Sequence, residues 1–266
     1  MTGIATREPK KVAIITGASQ GIGAGLVTAF RDAGYAVVGT SRSIRSSGEP
    51  EYVTVRGDIA DPDTAPRVVE QALERFGRID SLINNAGIFI GKPFLEYTRE
   101  DYAAITAVNL AGFFFVTQRV IPHMVADGTG HVVNITTSIV DHADSASPSA
   151  LAALTKGGLA AVTRSLATEY ASRGVRVNAV SLGVIKTSMH GAESYDAMGD
   201  AAPIGRVGEI SDVVDGILYL ERAPFVTGAI LHIDGGQAAG HLTLGERTRA
   251  GRSKAGASKR VSGGNR

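Results

Sequence analysis

The sequence predicts one domain of doubly wound α/β type, a parallel sheet with helices on both faces. Three observations carry this. Short apolar runs alternate with longer helical patterns along the chain, which is the signature of strand–helix–strand units. The runs are almost continuously apolar, as strands buried on both faces require. With 266 residues, 44% of them hydrophobic, the chain is long enough for one sizeable core.

Taken in order, "KVAIIT" (11–16) reads as the first strand, a glycine-interrupted helical stretch follows, and "YAVVGT" (35–40) is the next strand. "YVTVRGD" (52–58) is the third. Only about ten residues, from Ser41 to Glu51, separate the second and third strands, so the crossover helix expected there is missing or reduced to a turn. The pattern continues with a helix near 62–76, the strand "IDSLINNAG" (79–87), a long helix over 99–126 and the strand "HVVNITT" (131–137). A helix over 148–173, the strand "VRVNAVS" (175–181), a helix near 209–221 and the strand "AILHIDGG" (229–236) complete it. No internal repeat is evident.

Composition narrows the function. There is no cysteine, which excludes disulfides, thiol catalysis and thiolate metal sites. The opening "MTGIATREPKK" is too polar for a signal peptide, and no apolar run is expected to reach about 18 residues. A soluble, cytoplasmic protein without a membrane partner is expected. The net charge of +1 hides one asymmetry: from Glu246 to Arg266 seven Lys or Arg stand against one acid, among Gly and Ser. Such a segment cannot bury enough to fold. The expected layout is a short extension over 1–10, a domain over 11–244 and a solvated basic tail over 245–266. The rest of the chain shows no basic stripe, so a nucleic-acid partner is not expected.

The first chemical motif is "TGASQGIGAG". Gly17, Gly21 and Gly23 fall between a strand and a helix, where missing side chains let the backbone approach a pyrophosphate and point the helix N-terminus at it. Ser19, Gln20 and Ile22 complete that turn. The spacing G-x-x-x-G-x-G, followed in order by "GDI", "NNAG", "VNLAG", "NITTS" and Lys156, resembles the short-chain dehydrogenase/reductase family over roughly residues 10–237, and among its members the 3-oxoacyl-[acyl-carrier-protein] reductases.

The resemblance implies a Rossmann-like fold, a nicotinamide cofactor, a small carbonyl or alcohol substrate, and a homo-oligomer, dimer or tetramer, that pairs the helices at 99–126 and 148–173. It implies that Asp58 and Ile59 contact the adenine, that Asn85, Ala86 and Gly87 line the cofactor after the fourth strand, and that the Asn109 backbone holds a water in a proton relay. It also places Gly183, Ile185 and Thr187 against the cofactor, at the start of a substrate lid, where Leu182 replaces the usual proline and loosens one turn.

The end of the second strand decides the cofactor, because the adenosine ribose lies there. After Ser41 the chain reads Arg42 and then Arg45, with no acid before Glu49, which favours NADP(H) over NAD(H).

The catalytic centre departs from the family. Its members protonate the developing alkoxide with a tyrosine whose pKa is lowered by a lysine one helical turn on. Four residues before Lys156 this chain has Ala152. Lys156 keeps a ribose-binding role by resemblance. Thr137 occupies the family's serine position and Ser138 follows it; either hydroxyl suits a substrate carbonyl. The loop onward to Ala152 is one or two residues longer than the family's and carries Asp141, His142 and Asp144. Candidate substitute donors are His142, Ser149, two turns before Lys156, and Tyr195 in the lid, which also brings His190. Three functions stay open: NADP(H)-dependent interconversion of a carbonyl and an alcohol with an atypical proton donor, an NADP(H)-binding protein without redox turnover, and a non-redox lyase or isomerase on the same scaffold.

Overall fold

The computed structural model describes residues 10–145, 147–187, 195, 199 and 202–240. His190 and the basic tail lie outside them.

Seven strands form one parallel sheet: β1 (Val12–Thr16), β2 (Ala36–Ser41), β3 (Tyr52–Arg56), β4 (Ser81–Asn84), β5 (Gly130–Thr137), β6 (Val175–Leu182) and β7 (Ile230–Ile233). Their spatial order is β3-β2-β1-β4-β5-β6-β7. The order reverses between β1 and β4, which opens a crevice at their carboxyl ends. Helices α1 (Gly21–Asp32), α2 (Thr64–Phe76), α3 (Arg99–Thr106), α4 (Phe113–Ala126), α5 (Ala150–Tyr170) and α6 (Ile210–Arg222) flank it.

Alternate strand residues divide between two cores. Val12, Ile14, Val38, Leu82, Val132 and Val177 pack toward α2, α4 and α5, whose Val68, Val120, Met124 and Ala167 join them. Ala13, Ile15, Val37, Ile83, Val133 and Val180 pack the opposite way, against Leu26 and Phe30 of α1 and Val213 and Ile217 of α6. Burial of both faces explains why the strand runs lack polar alternation.

Two expectations need revision. The helix expected over 99–126 is broken by a π-helical turn, Ala107–Gly112, between α3 and α4. By length and composition Arg99–Ala126 is also apolar enough to cross a membrane, with a mean hydropathy of 1.4 over an 18-residue stretch of it, against the expectation that no run would be. Its apolar side is taken up by the core, where Ile105, Val116, Val120 and Met124 are fully buried. Leu182 extends β6 by one residue, in register with Thr137 and Ile233. The β2–β3 link carries no helix, as its length requires.

Candidate active site

The crevice begins with the turn after β1. Gly17 has φ +69°, a conformation costly for any other residue, and a Cβ on Gly23 would lie 2.1 Å from the Gly17 carbonyl oxygen. Both positions therefore need glycine. Asn85, just past β4, fixes the turn: its Nδ2 donates to the Thr16 carbonyl at 2.8 Å and the Gly17 carbonyl at 3.3 Å. Thr16 Oγ1 accepts the N–H groups of Asn85 and Ala86. Behind the turn, α1 starts without a side-chain cap: Gln20 is at the N-cap in extended backbone, makes no capping bond, and the first turn holds no acid. The first N–H groups of α1 are left to an anionic ligand. Thr187 reaches this spot from beyond β6, its methyl 3.5 Å from where a Gly21 Cβ would stand. Ile185 is buried and bridges to Gly208, while the Gly183 N–H donates to Ile233.

The next wall is built on the π-helical turn. Asn109, 1% exposed, accepts the Ile88 N–H at 2.9 Å and donates to the Ile88 carbonyl and to Thr155 Oγ1. The loop after β4 is thereby clamped to α5. One residue past Thr155, Lys156 donates from Nζ to the Ile135 carbonyl at 2.8 Å, its one hydrogen bond among the described residues. A Cβ on Gly87 would sit 3.1 Å from Lys156 Nζ and 3.3 Å from Asn109 Oδ1, so these three residues meet. Burial without a neighbouring carboxylate pushes the Lys156 pKa down to about 8. Of the two hydroxyls that end β5, Ser138 is buried and donates to Gln237 Oε1 at 3.1 Å, whereas Thr137 makes only a long contact with the Ile139 N–H, at 3.5 Å. Thr155 and Gln237 were not expected from the sequence. Thr155 beside Lys156 was the one legible signal; Gln237 is 99 residues from its partner.

A family model described as enoyl-(acyl carrier protein) reductase matches residues 17–238. The chain belongs to the short-chain dehydrogenase/reductase family. It is 34% identical over 240 residues to a 3-oxoacyl-[acyl-carrier-protein] reductase of Thermotoga maritima, covering 85% of this chain and 97% of that one. To the cis-4-hydroxycyclohexanecarboxylate dehydrogenase of Sinomonas cyclohexanicum it is also 34% identical, covering 86% and 97%. Among solved structures it resembles ElxO with NADP bound, with a TM-score of 0.81 and 30% identity over 87% of this chain and 100% of that one. The 3-ketoacyl-(acyl-carrier-protein) reductase of Brucella melitensis, complexed with NADH, gives 0.79 and 30%, covering 86% and 98%.

In this short-chain dehydrogenase/reductase two of the candidate donors, Ser149 and Tyr195, bond to backbone carbonyls. Ser149 is buried and donates to the Ser147 carbonyl at 2.7 Å. Tyr195 donates to the Thr187 carbonyl at 2.9 Å. His142 is exposed, its N–H bonded to the Ser138 carbonyl. Asp141 turns toward Ser181 and His232. Ala152 lies on α5 one turn before Lys156, 2% exposed, in an apolar cluster with Ile105 and Leu151 against which Ile88, Ile90 and Tyr97 pack. Past β2 and β3, Ser41 Oγ is buried without a partner among the described residues, Arg42 is exposed, and the carboxylate of Asp58 accepts the Ala60 N–H at 3.0 Å. Ile59 packs where a Gly112 Cβ would be, 2.9 Å away.

Proposed function

We propose that this chain is an NADP(H)-dependent oxidoreductase that interconverts a carbonyl and an alcohol, with Ala152 standing where the family has its tyrosine. The observation that carries the reading is the shared crevice: the uncapped start of α1 behind Gly17 and Gly23 opens beside the meeting point of Gly87, Asn109 and Lys156. The donor set suits a dinucleotide. Backbone N–H groups from Ser19 to Gly23 face a pyrophosphate, Ser41 Oγ needs a partner where the ribose belongs, and Arg42 suits a 2′-phosphate. Asp58 and Ile59 flank the adenine, with Asn85, Ala86, Gly183, Ile185 and Thr187 closing over the remainder. The cofactor supplies or accepts a hydride when bound.

The chain's own residues do the rest. Lys156 holds the nicotinamide ribose through its ammonium. Thr137, whose hydroxyl is less engaged than that of Ser138, binds the substrate carbonyl. Asn109 fixes the loop after β4 against α5. The names of the relatives, among them a 3-oxoacyl and a 3-ketoacyl reductase, support a small carbonyl substrate. General acid assistance is typically worth 10²- to 10⁴-fold, so simple ketones are expected to turn over slowly. The proposed partner is a second copy of the chain: Tyr102, Phe114, Phe115 and Leu154 leave large apolar surface exposed on α3, α4 and α5.

The test uses NADPH deuterated at C4 of the nicotinamide and acetoacetyl thioester as the ketone. Deuterium on the new carbinol carbon is the expected result. Tight NADPH binding with no transfer to any of a panel of ketones would sink the reading and favour a binding protein or a non-redox enzyme.

A further inference from the structure

Resting on the NADP(H) reading above, we infer that Arg56, at the end of the edge strand β3, is a second guanidinium for the cofactor's 2′-phosphate, facing it alongside Arg42. Arg56 is paired in register with Ser41, the last residue of β2, and the Gly57 N–H donates to the Ser41 carbonyl at 3.1 Å. Its side chain does not run out along the sheet edge. It bends over the end of β2, where Nε donates to the Arg42 carbonyl at 3.0 Å. That bond uses one N–H of the fork and leaves both terminal nitrogens without a partner among the described residues. The glycine-rich turn closes the same spot from the other side, with Ser19 Oγ 3.3 Å from Ser43 Oγ.

The charge balance points the same way. Arg31, Arg78, Arg173 and Arg206 are each paired with a carboxylate, but Arg42, Arg45 and Arg56 pair with none among the described residues. Nearby acids are engaged elsewhere: Asp58 and Asp61 each accept a backbone N–H. Arg67, a further cation of this corner, already donates to the backbone carbonyls of Asp63 and Arg56 and to Thr64 Oγ1. Because the β2–β3 link carries no helix, Arg42, Arg45 and Arg56 are all exposed at the strand ends. A phosphate monoester on a ribose 2′-oxygen is a dianion with three acceptor oxygens, which two guanidinium forks from adjacent strands can share. Direct readout of cofactor type thus comes from two strands, β2 and β3.

The experiment measures dissociation constants of NADPH, NADH and adenosine 2′,5′-bisphosphate by fluorescence titration for the wild type, Arg56→Ala, Arg56→Lys and Arg42→Ala. Arg56→Ala is expected to weaken NADPH and the bisphosphate by about 10-fold, the loss of one charge-assisted contact, with NADH unchanged within about 2-fold. Arg56→Lys keeps the charge without the fork, and its loss should be smaller and again confined to the two 2′-phosphate ligands. Unchanged NADPH binding in Arg56→Ala, or equal weakening of NADPH and NADH, overturns the assignment while leaving the NADP(H) reading intact. Equal wild-type affinity for NADPH and NADH would overturn both.

Discussion

Lys156 is the residue on which the site turns. Its amine sits in partly buried surroundings with a carbonyl for company and no carboxylate, which pulls its pKa from the usual 10.5 to about 8. In the free protein this opposes folding at every pH below about 8, and the opposition fades as pH rises toward 10.5. If Lys156 holds the ribose as proposed, a bound cofactor would reverse the preference, because the ammonium is the better donor to hydroxyls. NADPH affinity should therefore fall as pH rises through about 8, and Lys156→Met should bind more weakly with no such fall. Fluorescence titrations between pH 7 and 9.5 check this, and a flat wild-type profile would count against a ribose contact. At this scale the sequence singled out residues that carry a local pattern: Gly17 and Gly23 through their spacing in one turn, and Lys156 through its place in the helix after β5. It could not reveal that Ser138 is turned to Gln237, or that Ala152 is sealed beneath Ile88 and Ile90, because both facts depend on chain distant in sequence.

Among the elements, the turn from β1 into α1 tolerates least. A methyl on Gly23 would enter the Gly17 carbonyl and also stand 2.8 Å from Asn85 Nδ2. Gly23→Ala should therefore weaken NADPH and NADH alike, by 100-fold or so if the turn shifts by even an ångström, as positioning effects of that size suggest. Calorimetric titration with both cofactors decides it, and preserved affinity would show that the turn can relax. The missing helix between β2 and β3 was legible because ten residues cannot hold one with its two turns. The break between α3 and α4 was not. The apolar pattern runs on through 99–126, and the π-helical turn carries Asn109, whose bonds to Ile88 and Thr155 join chain distant in sequence.

For the molecule as a whole, the two ends of the sheet are built differently. The carboxyl end is the crevice. At the amino end a buried network ties three strands to α6: Glu221 accepts from Tyr35 at 2.9 Å, Ser81 at 2.7 Å and His131 Nδ1 at 2.7 Å. His131 Nε2 lies 3.0 Å from Asn178 Nδ2, which makes it the acceptor and leaves the ring neutral with its proton on Nδ1. Burial lowers the His131 pKa. Burial alone would raise that of Glu221, but the hydrogen bonds it accepts from His131, Ser81 and Tyr35 hold it below the usual range. Both shifts act in one direction. The unfolded chain takes up a proton on histidine near pH 6.5 and on glutamate near 4.5, before the folded protein does, so stability should decline as pH falls below about 6.5. Glu221→Ala strands three buried donors and should cost about 3 kcal/mol. Urea unfolding at pH 7.5 and 5.5 measures both effects, and a variant as stable as wild type would show that the network carries no net stability. The order of the strands was legible as a class but not as a map: alternation announced a parallel sheet, whereas the crevice between β1 and β4 depends on where the order reverses.

The short β2–β3 link has one more consequence, for motion. β1 and β2 are buried along almost their whole length, but in β3 only Val55 is buried, and the strand is paired on one edge alone. Strands with little buried apolar surface and a free edge open locally at low cost. Arg56, Asp58 and Ile59 all hang from that strand, while Asn109 and Lys156 are anchored in the packed middle of the fold. A dinucleotide lying across the crevice would rest its nicotinamide half on a stiff support and its adenosine half on a compliant one, so that ligand and strand lend each other order at the outer edge of the sheet.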